Sequence, residues 1–87
     1  MRTVDEKLEY HKKQSKKTPF MFGYNHGIKL YRSYCKADKA ERKRIIAEFD
    51  SENQNARNGK KASREFSKGV MCAARDAANE RKARNNK

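Results

Sequence analysis

Phe20-Met21-Phe22-Gly23-Tyr24-Asn25-His26-Gly27 has an echo in Phe66-Ser67-Lys68-Gly69-Val70-Met71-Cys72-Ala73. In each segment an aromatic residue precedes small residues three and seven positions on. Glycine inside a helix costs about 1 kcal/mol relative to alanine, so its repeated use asks for a reason. Positions i, i+3 and i+7 lie along one side of a helix. Small residues there let a second backbone approach. The reading is that two helices cross at Gly23, Gly27, Gly69 and Ala73, with Phe20 and Phe66 flanking the contact. An alternative is that the glycines clear space for a ligand or a nucleic-acid backbone.

Working outward, four helices can be drawn. The first runs from Val4 to Ser15, with Thr3 and Glu6 matching a capping box. Its apolar stripe, Val4 and Leu8 with His11 on the same side, is thin. The second runs from Phe20 to Cys35, with Thr18 as cap and Pro19 in its first turn. Apolar residues surround it, which places it at the centre of the core. The third opens at Asp38 with Glu41 three residues on, and stops before Asn58-Gly59. Ile45, Ile46, Phe49, Asn53 and Ala56 form its expected inner stripe, and its polar last turns are expected to leave the core. The fourth starts at Ser63 and extends to Arg84, with the intrinsic helix preference of alanine behind it. No strand pattern appears. The fold class is all-α: a small domain of three or four helices with frayed polar termini. Residues 1–17 read as a basic helical arm, 18–84 as one helical domain and 85–87 as a disordered tail.

Gly23-Tyr24-Asn25-His26-Gly27, followed by an aromatic-x-x-Gly at Phe66 and Gly69, resembles the ribosome modulation factor family. The resemblance covers about a dozen residues, with a longer interval between the motifs and no Cys-Pro between them. It implies a small, basic, ribosome-binding protein and so points toward RNA.

Charge is the main functional signal. The chain has 87 residues, 23 Lys and Arg against 11 Asp and Glu, and a net charge of +12. Such an excess repels itself unless a polyanion or an acidic surface neutralises it. The apolar fraction is 34%, below the roughly 45–50% of ordinary globular chains, so the expected core is thin. On the fourth helix Phe66, Val70, Ala73 and Ala77 form an inner stripe, with Arg64, Lys68, Arg75 and Lys82 roughly opposite. Glu65, Asp76 and Glu80 gather to one side. Lys12, Lys13, Lys16 and Lys17 form a second patch, and Arg42, Lys43 and Arg44 a third. Whether the three share a surface is open at this stage. Aromatics could also stack on bases, Tyr10 and Tyr34 being the candidates outside the core.

These features point to RNA or duplex DNA, held through phosphates largely without sequence readout. Two other readings stand beside this one. The first is a phage or mobile-element accessory protein that inhibits a host defence ribonucleoprotein, in the manner of anti-CRISPR proteins, by binding a host protein. The second is a basic structural protein of a ribosome or virion. A homodimer would complete the thin core. Neither His11 nor His26 has partners at metal-ligand spacing. No nucleophile, phosphate-loop or dinucleotide motif is present, so no enzyme, metal or cofactor is expected. Cys35 and Cys72 read as free buried thiols. With no membrane span and no secretory signal pattern, a cytoplasmic location is expected.

Overall fold

The computed structural model describes residues 3–85 and consists, over that range, of four helices and no strands. They are α1 (Val4–Lys13), α2 (Pro19–Lys36), α3 (Lys39–Asn58) and α4 (Lys61–Asn85). Three caps form as the sequence dictates. Thr3 and Glu6 close the capping box, Thr18 accepts from the Met21 amide at 3.2 Å, and Asp38 accepts from the Glu41 amide at 2.9 Å. Ser63 is not a cap: α4 starts two residues earlier, at Lys61. Of the expected tail 85–87, Asn85 closes α4, and residues 86–87, like residues 1–2, lie outside the described residues.

The two echoed segments meet. A methyl group placed on Gly23 would collide with the Phe66 carbonyl, and one on Gly69 with the Phe20 carbonyl. One on Gly27 would lie 2.7 Å from the Ala73 Cβ and 2.8 Å from the Val70 carbonyl oxygen. The contacts ascend together along both chains, so α2 and α4 run parallel. They are also reciprocal, which makes the crossing an approximate two-fold. Val70 and Ala73 are fully buried in it, and Tyr24 and Ile28 are 2% exposed.

A parallel pair needs a return segment, and α3 supplies it, antiparallel to α4. The molecule is thus two helical hairpins, α1–α2 and α3–α4, docked through their second helices. Both α2 and α4 touch all three other helices: α2 meets α1 through Tyr24 and Ile28 and α3 through His26, as its central place in the core requires, and α4 makes the broader contact with α3. The small residues Ser67, Gly69 and Ala73 of α4 permit the approach. Outward positions of α2 leave the core: Phe22 is 53% exposed, and the Cys35 thiol is exposed rather than buried, while Cys72 is half-buried.

Helix α1 is packed rather than set apart. Val4 joins Tyr24, Ile28 and Ala73 in the core, with Leu8 against them. Polar contacts add to this thin apolar stripe. Lys7 Nζ donates to Asp76 at 2.6 Å, Tyr24 Oη donates to the same carboxylate at 2.8 Å, and the Val4 amide donates to Glu80 at 3.2 Å. The acidic side of α4 is therefore the seat of α1. Burial pushes the Asp76 carboxyl up, but hydrogen bonds from Lys7 and Tyr24 and the charges of Lys7 and Arg75 outweigh it and hold its pKa below the usual value. Burial and the Asp76 hydrogen bond push the Tyr24 phenol upward.

The other flank corrects the reading of α3. Ile45 is buried as expected, but Ile46 is 46% exposed and Asn53 faces solvent. Glu52 and Asn55 point inward instead. The fully buried Ser67 hydroxyl donates to Glu52 at 2.7 Å and accepts from Asn55 Nδ2 at 2.6 Å, and Asn55 also reaches the Ser63 hydroxyl at 2.7 Å. The last turns of α3 stay packed because their polar groups satisfy one another, as buried polar groups must.

Candidate functional site

Parallel packing of α2 and α4 decides where the cations go. Residues 14–18 join α1 to α2, and residues 59–60 join α3 to α4. Since α2 and α4 start at the same end of the molecule, both turns lie there. Lys12, Lys13, Lys16 and Lys17 arrive with the first turn and Arg57, Lys60 and Lys61 with the second, all seven exposed. No Asp or Glu occurs in residues 10–37 or 53–64. Glu52 and Glu65, which flank the second turn, are engaged by Ser67 and by Lys68 at 3.4 Å. The Cα extents are 35 × 28 × 17 Å. Since α4 alone is about 37 Å long at 1.5 Å per residue, the long dimension runs along it. The cationic end is then no broader than the remaining 28 × 17 Å.

From this end a line of cations continues down α4. Between Arg64 and Ala77 the only exposed residues are Lys68 and Arg75. With Lys61 and Lys82 they recur every seven residues, about 10.5 Å apart, on the side away from α2. The sequence reading placed Arg64 on this line and omitted Lys61. Arg64 is half-buried instead, its Nε sealed from solvent with no hydrogen-bond partner among the described residues. It follows Ser63, where α3 closes over the start of α4. The seven-residue repeat through Lys61 was the available signal.

The third patch does not join the first two. Arg42, Lys43 and Arg44 open α3, next to the C-terminus of α2, most of that helix's length of about 27 Å from the cationic end. Arg42 lies over the Tyr34 ring, 5.3 Å from its centroid, and donates to the Tyr34 carbonyl oxygen at 3.3 Å. Arg44 pairs with Glu41 at 2.7 Å. The face of Tyr34 that was a stacking candidate is thereby occupied.

The histidines have structural partners. His11 is 7% exposed, 3.3 Å from Asn25 Oδ1 and edge-on to Tyr24. His26 is half-exposed, 3.1 Å from Glu48 Oε1 and against the Phe66 ring. Among the described residues no three His, Cys, Asp or Glu side chains are grouped to hold a metal ion, and no helix is long and apolar enough to cross a membrane.

Fold and charge define a basic four-helix domain of two docked hairpins, with one polycationic end. In comparison with known proteins no family model, no curated protein and no solved structure matches the chain.

Proposed function

We propose that the protein binds nucleic acid by its phosphates, through the end of the domain that carries Lys12, Lys13, Lys16, Lys17, Arg57, Lys60 and Lys61. The observation behind this reading is the convergence of two turns, remote in sequence, into one cationic surface with no acidic residue in either flanking segment. Condensed counterions leave a nucleic acid when such a surface neutralises its phosphates, and their release drives binding. The lysines and arginines make these contacts; none of them reads a base edge, so sequence preference is weak. The line Lys61, Lys68, Arg75 and Lys82 extends the same surface along α4.

The test is charge reversal at two places. Lys16, Lys17, Lys60 and Lys61 changed together to Glu abolish binding in a gel shift while far-UV circular dichroism is unchanged. Arg42, Lys43 and Arg44 changed to Glu leave most of it. For the native protein, log affinity falls by about 0.9 per log unit of salt for each duplex phosphate contacted. The opposite ranking of the two variants refutes the assignment of the surface. Absence of any complex with RNA or DNA at low salt refutes the function, and an acidic protein partner takes its place.

A further inference from the structure

We propose that Phe22 is a stacking platform for an unpaired base, so that the preferred ligand is single-stranded nucleic acid. This rests on the phosphate-binding reading above and names the ligand class for it. Phe22 is the most exposed of the large apolar side chains, at 53%. Other exposed or half-buried aromatics have contacts in the fold. Phe20 packs against the core, Phe66 lies against the His26 ring, Tyr31 and Tyr34 pair at 6.1 Å, and Tyr10 packs on His11. Phe22 enters no ring contact among the described residues, and more than half of it is open to solvent.

Its position supplies what a stacked nucleotide needs. The Phe22 amide bonds the Thr18 carbonyl at 3.2 Å, so the ring stands one helical turn above the α2 cap. Lys17 precedes that cap in the cationic turn. Lys29, also exposed, lies seven residues on along the same face, about 10.5 Å away. An aromatic surface thus stands between a cation of the preceding turn and a cation further along its own helix face. The half-exposed His26 ring follows at i+4, held by Glu48 of α3. The two-fold counterpart of Phe22 on α4 is Lys68. The α4 face is a line of cations, whereas the α2 face has an aromatic at its head. Bases in a duplex already stack on each other; an unpaired base has a free π-face, which an aromatic side chain can cover with little regard to sequence.

The experiment measures binding of a short oligo(U) and of a duplex of equal length by fluorescence anisotropy at one salt concentration. The native protein binds the single strand more tightly. Phe22→Ala and Phe22→Leu weaken single-strand binding roughly five- to 140-fold, the range to which 1–3 kcal/mol of stacking converts, and leave duplex binding unchanged. Phe22→Trp retains single-strand binding, and its indole, the sole tryptophan in the chain, is quenched when oligo(U) is added. Single-strand binding unchanged in both the Ala and Leu variants overturns the role of Phe22 and leaves the phosphate reading standing, as does a native preference for duplex. No binding of either ligand by the native protein overturns both.

Discussion

Gly23→Ala tests the crossing on which the fold depends. The new methyl would strike the Phe66 carbonyl, with the carbonyl carbon 2.7 Å and the Phe66 Cα 3.0 Å away. All of these are backbone atoms, so no rotamer change clears them. Carbon atoms in good contact sit about 3.5–4.0 Å apart, so α2 must retreat by about 1 Å. A gap of that size forfeits about a quarter to a half of the dispersion attraction across it. Tyr24, Ile28 and Val70 are the large side chains sealed at this contact, and full burial of each is worth about 1.5–3 kcal/mol. The loss is then about 1–4 kcal/mol. The better helix preference of alanine returns up to about 1 kcal/mol, leaving a net destabilisation centred on about 2 kcal/mol. A domain of this length has about 4–13 kcal/mol in all, and each kcal/mol lowers Tm by about 4–8 °C. The expected fall is therefore roughly 8–16 °C in a far-UV circular dichroism melt. A Tm equal to or above that of the native protein would show that the helix preference acts alone and that the two backbones do not touch.

Acid weakens the seat of α1. The folded pKa of Asp76 lies below its unfolded value, so the unfolded state binds more protons on acidification. The contribution is complete above the ordinary carboxylate range and is lost as pH falls through the folded pKa, from about pH 4 downward. Urea titrations across that range show a steeper loss of stability for the native protein than for Asp76→Asn; equal slopes would exclude the network as the cause. Ser67→Ala leaves Glu52 and Asn55 without their buried partner and costs about 1–3 kcal/mol. An unchanged midpoint in denaturant would mean that α3 does not depend on this polar contact.

Much of the fold is legible along the chain. Thr3, Thr18 and Asp38 announce three helix starts because a cap is a local contact between a side chain and an amide three residues away. The glycine echo announces the crossing because a residue lacking Cβ inside a helix has few uses other than close approach. The α3 stripe was misread at Ile46 and Asn53 because hydrophobicity alone assigned the inner face. The pairing of Glu52 and Asn55 with Ser67 could be seen only once α4 lay beside them. Phe22 was placed in the core for the same reason: an apolar residue on a richly apolar helix gives no local sign of which side is left uncovered.

From the amino-acid sequence alone come the helices, the residues at which two of them touch, and a net charge of +12. The sequence left open whether the helices at the glycine contact run parallel, and that choice belongs to the tertiary structure. A parallel arrangement puts both cationic turns at one end and sends Arg42, Lys43 and Arg44 toward the other. Charge counts add along a chain, but a surface potential depends on distances through space, and those are set by packing.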